Sequence, residues 1–146
     1  MRIALCDDTA QDLEQLKEYC SQYSALHDIR EYASAAELLA DYDNFMPKLI
    51  FLDIEMEAPT GYDAAMILSA RSPKPLIIFV TQTLNYATRG YGIAFRYISK
   101  PLDYPAFSRL MQLAEEELLS PLILTVPPDP LLPVTMKHRL DPGMRY

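Results

Sequence analysis

The sequence predicts an α/β fold, a doubly wound parallel sheet of five strands, each followed by a helix, in a single domain. Three observations carry this reading. Five short strand-like runs, the second of them weak, alternate with longer stretches whose apolar residues recur every three or four positions, and strands alternating with amphipathic helices argue for a parallel sheet covered on both faces. The runs are apolar at consecutive positions, as in "LIFL" before Asp53, which suits strands buried on both sides. Finally, the chain has 146 residues, half of them hydrophobic, enough for one domain with a real core.

The elements follow in order. "RIALCD" (residues 2–7) reads as the first strand. In "TAQDLEQLKEYCSQYSAL" the apolar positions Leu13, Leu16, Tyr19, Cys20 and Tyr23 lie at helical spacing, and Thr9 with Asp12 resembles a capping pair. "IREYA" is a weak second strand, and "SAAELLADY" opens as a helix with Ser34 and Glu37 in capping-box spacing. "LIFLD" is the third strand, and "GYDAAMILSARS" a helix stopped before Pro73. "PLIIFVT" is the fourth strand, "LNYATRGYG" a short fourth helix, "AFRYIS" the fifth strand and "DYPAFSRLMQLAEEELL" the last long helix.

Sheets of this kind work at the carboxyl ends of their strands, near the point where strand order reverses. Strand one ends in Asp7 and Asp8, strand three in Asp53, strand four in Thr81 and strand five in Ser99-Lys100-Pro101. Burying a carboxylate is costly unless something neutralises it, and three together repel one another. A hard cation relieves that repulsion, and Mg²⁺ is the usual occupant of an oxygen-only site that also takes phosphate oxygens. Lys100 adds a point positive charge and Thr81 a hydroxyl donor. The parts describe a site that places a phosphoryl group on a carboxylate while cation and lysine spread the developing charge.

Composition narrows the partners. The net charge is −7; residues 1–120 hold 18 acids against 10 lysines and arginines, a balance of −8. Such a body does not attract nucleic acid through its general field. No apolar run is long enough for a membrane span, and the first one is too short for a signal peptide. Cys6 and Cys20 are too far apart for a CxxC site and read as free packing thiols of a cytoplasmic protein. The acidic run Glu115 to Glu117 reads as a solvated helix face, and His138 as an ordinary exposed residue.

With "CDD", "LIFLDIEM" followed by Gly61, "IIFVT" and "YISKP" in this order after these strands, residues 1–119 resemble the receiver domains of two-component response regulators. That resemblance implies the flavodoxin-like, CheY-like (βα)5 fold. It also implies that Asp53 is the phosphoacceptor for a sensor histidine kinase, and that Asp7, Asp8, Asp53 and the backbone carbonyl of Glu55 hold Mg²⁺. Lys100 would contact the phosphoryl oxygens, and Pro101 would follow a cis bond. Thr81 and Tyr97 would be the switch pair, altering a face made by the fourth helix, fifth strand and fifth helix, through which a homodimer would form. Such a protein is a signalling switch, with self-phosphorylation and slow self-dephosphorylation as its only catalysis. "AFRYISKP" further resembles the receivers that precede LytTR-type DNA-binding domains.

Two positions depart from the family pattern. Gln82 stands where a small residue is usual after Thr81, and Glu57 where the loop after Asp53 usually has proline. These departures support an alternative, a pseudo-receiver that binds partners without being phosphorylated. A third reading, a Mg²⁺-dependent phosphohydrolase with an aspartyl nucleophile, wants its nucleophile after the first strand and a cap insertion that this length does not supply. Ordinary roles compete at each position: Asp7 and Asp8 as turn acids, Thr81 as a strand residue, Lys100 as a surface lysine and Tyr97 as a core aromatic.

The expected domain is residues 1–120, with residues 121–146 a tail holding six of the twelve prolines. Proline suits neither helix interiors nor central strands. "LILTV" (residues 122–126) reads as one strand and resembles the first strand of a LytTR domain. A truncated output domain and a native short tail remain alternatives, and any contact with DNA would need that output domain.

Overall fold

The computed structural model describes residues 1–82 and 93–124. Five strands form one parallel sheet: β1 (Arg2–Cys6), β2 (Asp28–Tyr32), β3 (Leu49–Asp53), β4 (Leu76–Thr81) and β5 (Arg96–Ser99). Four helices are described: α1 (Ala10–Tyr23), α2 (Ala35–Phe45), α3 (Gly61–Leu68) and α4 (Tyr104–Leu124). The fourth helix expected at residues 84–92 lies outside the described residues, so α4 is the helix after β5.

Strand order is β2-β1-β3-β4-β5. The chain starts at β1, steps out to β2, then returns past β1 to lay down β3, β4 and β5. The reversal lies between β1 and β3, where the helices leaving the two strands diverge and open a crevice. Registers are continuous, with Cys6 beside Leu52 and Asp53 beside Val80, so the ends of the central strands stand level.

Alternation along the strands divides the core. Ala4, Cys6, Ile50, Leu52, Ile77 and Phe79 face one side and pack with α2 and α3 through residues such as Leu38 and Leu68. Ile3, Leu5, Leu49, Phe51, Ile78 and Val80 face the other, against Leu16 of α1 and Phe107 and Met111 of α4. Phe51 and Phe107 stack at 5.1 Å between centroids. This period of two, with both faces covered, is why the runs read as unbroken apolar segments. Both cysteines are buried and unpaired, and burial pushes each thiol up to about 12, so they remain protonated packing groups at neutral pH.

Local sequence explains the helix starts unevenly. The Ser34 hydroxyl accepts from the Glu37 N–H at 3.1 Å, while the Glu37 carboxylate accepts from Ala33 N–H rather than from Ser34. Thr60 and Asp63 form a full reciprocal capping box at α3. Thr9 occupies the N-cap of α1 without a side-chain cap bond, which corrects the expected pairing with Asp12.

Two compact units divide the chain, Met1–Ala114 and Glu115–Tyr146. The first holds the sheet, both cores and the acidic site. In the second, helix continues to Leu124, so Leu122, Ile123 and Leu124 are helical and the expected strand at this place is corrected. Proline removes one helical hydrogen bond yet its fixed φ is compatible with helix, so Pro121 does not end α4. No helix among the described residues is long and apolar enough to cross a membrane.

Candidate functional site

The crevice at the carboxyl ends of β1 and β3 collects the acids. Asp7 continues the line of β1: its N–H donates to Tyr32 O at 3.1 Å. That bond turns its side chain into the protein, where it is fully buried. Its Oδ1 accepts from Thr9 N–H at 2.9 Å. Asp8, next along, is exposed. Asp53 closes β3 with only 3% exposure, and its Oδ1 accepts from the Glu55 N–H at 3.0 Å. One carboxylate oxygen from each of Asp7, Asp8 and Asp53 falls within 4.8 Å of the others.

Gly61 shapes the rim below Asp53. Its N–H donates to Ile54 O at 3.2 Å. A Cβ on Gly61 would lie 1.9 Å from the backbone oxygen of Asp53, a distance no side chain can adopt. Glycine is therefore required for α3 to start so close to the end of β3.

Lys100 leaves β5 toward the same acids. Its backbone N–H donates to Thr81 O at 2.8 Å. Its ammonium lies 2.8 Å from Asp12 Oδ2, 3.0 Å from Asp7 Oδ2 and 3.7 Å from Asp53 Oδ2. Burial alone would lower this amine, but the hydrogen bond to Asp12 and the charges of Asp7 and Asp53 outweigh it and hold it above its ordinary range. The Lys100–Pro101 bond is cis.

One lysine does not neutralise this many acids. Burial and the neighbouring Asp7 charge push the Asp53 carboxyl up to about 6, against the opposing pull of the Glu55 N–H and Lys100. Asp7 Oδ2 meets the Lys100 ammonium at 3.0 Å and has no other hydrogen-bond donor among the described residues. A buried acceptor left in this state, beside two more carboxylates, fits a hard divalent cation with oxygen ligands, and Mg²⁺ is such an ion.

Thr81, at the end of β4, is fully buried. Its hydroxyl donates to Glu55 Oε1 at 3.1 Å, and the Gln82 N–H donates to the same oxygen at 3.0 Å. Tyr97 is half-buried in β5 with its ring 5.5 Å from Phe79, against the core under α2 and α3. Glu57 is exposed.

Two contacts escaped the sequence reading. Asp12, three residues after Thr9, fits a capping pair by spacing, and its actual partner is 88 residues away. Glu55 is exposed, and its carboxylate likewise reaches Thr81 and Gln82. Proximity of an acid to the strand-end cluster was the available signal for both; neither partner is visible in local spacing.

Comparison with known proteins is consistent throughout. A family model described as the response regulator receiver domain matches residues 3–112. The chain is 28% identical over 119 residues to the sensory transduction protein LytT of Enterococcus faecalis, covering 81% of this chain and 49% of that protein. It is 25% identical over 118 residues to the transcriptional regulatory protein BtsR of Escherichia coli, covering 80% of this chain and 49% of that one. The chain thus spans about half the length of these relatives. Among solved structures, the response regulatory domain of mrkE from Klebsiella pneumoniae superimposes with a TM-score of 0.75 at 23% identity, covering 80% of this chain and 97% of that domain. The chemotaxis protein CheY4 of Vibrio cholerae superimposes with a TM-score of 0.70 at 17% identity, covering 77% and 97%. These likenesses establish the flavodoxin-like, CheY-like architecture.

Proposed function

The chain belongs to the response regulator receiver domain family of two-component systems, and from that premise we propose that Asp53 accepts a phosphoryl group from a sensor histidine kinase. The observation that carries this reading is the convergence of three carboxylates within 4.8 Å, with Lys100 bridging Asp7 and Asp53. A carboxylate oxygen of Asp53 forms the new P–O bond as the P–N bond of the kinase phosphohistidine breaks. The imidazole nitrogen keeps the electron pair. With a pKa near 6, Asp53 is largely ionised at neutral pH and available to attack.

Lys100, already charged and aimed between Asp7 and Asp53, moves its ammonium onto the phosphoryl oxygens and balances their charge. Asp7, Asp8, Asp53 and the backbone carbonyl of Glu55 hold Mg²⁺, which supplies Lewis-acid stabilisation of phosphoryl charge when bound. The Thr81 hydroxyl turns toward the phosphoryl group and Tyr97 follows inward, coupling a local charge event to a two-state surface. Water attack on the acyl phosphate returns the carboxylate and inorganic phosphate, so the domain is a switch rather than an enzyme with an external product.

The output reading is of the LytTR kind. It is supported by the likeness to the sensory transduction protein LytT. Residues 1–120 are then the receiver, residues 121–146 are a proline-rich tail or the start of a LytTR-type domain, and the working location is the cytoplasm. A homodimer through the face beside β5 and α4 is the expected carrier of the signal.

Intact mass after incubation with Mg²⁺ and acetyl phosphate tests the core of this proposal. One phosphoryl adduct on the wild type, absent from Asp53→Ala, is the expected result. An adduct on both proteins refutes Asp53 as acceptor. Turnover of generic phosphate esters would instead favour a phosphohydrolase.

A further inference from the structure

Glu55 is exposed, yet its carboxylate is engaged at the end of a neighbouring strand. Its backbone N–H donates to Asp53 Oδ1 at 3.0 Å, which fixes the residue directly over the end of β3. From there its side chain crosses to the end of β4. One oxygen, Oε1, accepts both the Thr81 hydroxyl at 3.1 Å and the Gln82 N–H at 3.0 Å. A hydroxyl and a main-chain N–H from consecutive residues, converging on one point, make an anion cradle. The anion now in it belongs to the protein itself.

We propose that Glu55 is a tethered surrogate for a phosphoryl oxygen, filling this cradle in the unphosphorylated domain and competing with phosphorylation of Asp53. The inference rests on the receiver reading above. β3 and β4 are adjacent, with Asp53 beside Val80 and the Ile54 N–H donating to Val80 O, so Thr81 lies one residue beyond the strand position facing Asp53. A phosphoryl group on Asp53 carries its oxygens into the same small volume. Two anions cannot share a pair of donors: like charges at hydrogen-bonding separation repel strongly, and Thr81 Oγ1 has one proton to give. Phosphorylation must therefore expel the Glu55 carboxylate, and Thr81 stays held until that happens.

The same arrangement gives Gln82 a role that does not depend on its side chain, which is exposed. Its contribution is the N–H, and any residue but proline at that position supplies one. Glu55, two residues after the acceptor, is the residue that sets the threshold.

The test follows the rate of phosphoryl incorporation from acetyl phosphate with Mg²⁺, by intact mass, for wild type, Glu55→Ala, Glu55→Gln and Glu57→Ala. The expected result is a gain of about tenfold for Glu55→Ala, the scale of one charge-assisted hydrogen bond lost from the competing state. Glu55→Gln, which keeps an acceptor but no charge, gives a smaller gain. Glu57→Ala leaves the rate unchanged, since the contacts of the cradle are made by Glu55 and not by Glu57. Equal gains for Glu55→Ala and Glu57→Ala would mean general charge relief and overturn the proposal. Wild-type rates for Glu55→Ala would also overturn it, yet leave the receiver reading intact because adducts still form. No adduct on any protein defeats the receiver reading, and the inference with it. A second readout needs no phosphoryl transfer: the Gln82 amide proton resonance moves upfield in Glu55→Ala without Mg²⁺, and an unmoved resonance contradicts the cradle directly.

Discussion

Replacing Asp53 by asparagine should make the metal-free protein more stable, although Asp53 is the residue assigned the central chemistry. Asparagine keeps the shape and keeps an oxygen to accept the Glu55 N–H. What it removes is a charge that burial and Asp7 oppose. The Asp53 carboxyl lies at about 6 in the folded protein against an ordinary 3.8. At about 1.4 kcal/mol per pH unit, holding it ionised costs the native state about 3 kcal/mol above pH 6. That figure already contains the attraction of Lys100, which keeps Asp7 and Asp12 as partners in the variant.

The pH dependence separates this cause from better packing. Between about 4 and about 6 the folded wild type holds a proton on Asp53 that the unfolded chain has released, so stability contributed by this group falls as pH rises through that window. Below it both states are protonated, and asparagine resembles the neutral acid. Urea unfolding of wild type and Asp53→Asn in a chelator, from about pH 4 to about pH 8, should therefore show a gap near zero at the acid end, opening to about 3 kcal/mol in favour of the variant. Added Mg²⁺ should narrow the gap at neutral pH by stabilising the wild type. A gap independent of pH, or a variant less stable at neutral pH, would refute the electrostatic reasoning.

Three further outcomes follow from the same geometry. Lys100→Met strands Asp7 and Asp53 without their cation and should lower metal-free stability by about 3 kcal/mol in urea unfolding, with part recovered on adding Mg²⁺. Gly61→Ala drives a methyl group into the Asp53 backbone oxygen and should cost about 3 kcal/mol by the same assay, with the loss undiminished by Mg²⁺. Ser34→Ala removes a formed N-cap bond and should cost about 1 kcal/mol, whereas Thr9→Ala removes none and should cost a few tenths, as thermal unfolding of the pair can show.

The sheet was legible because burying both faces leaves a simple trace: unbroken apolar runs whose ends are polar. Asp7, Asp53 and Thr81 were legible for the same reason, each being the first polar residue after such a run, and Lys100 follows one residue after the first, Ser99. Contacts made by long side chains were not. Asp12 satisfies a capping spacing with Thr9, and nothing local reveals that Lys100 draws it away. The Glu55 carboxylate bonds to the end of a strand that begins twenty-one residues later in the chain. Pro121 misled in the opposite direction: a rule about average helix interiors says little about a single proline near a helix end, where one lost hydrogen bond is a small fraction of the helix.

The charge balance of the crevice points to function rather than stability. Asp7, Asp12 and Asp53 gather around one lysine, Asp8 stands beside Asp7 and Asp53, and Asp7 is fully buried. A fold selected for stability alone would replace Asp53 with a neutral residue, since the wild-type charge opposes folding until a cation arrives. Sites that keep such a cost are those whose activity depends on it. On the proposed reading, the excess negative charge makes cation binding favourable, a bound cation would make a further anion on Asp53 tolerable, and the Glu55 carboxylate would set how readily that anion enters. Electrostatic strain, cation affinity and phosphoryl acceptance are in this view one property of the crevice, so relieving the strain by Asp53→Asn should remove the other two together.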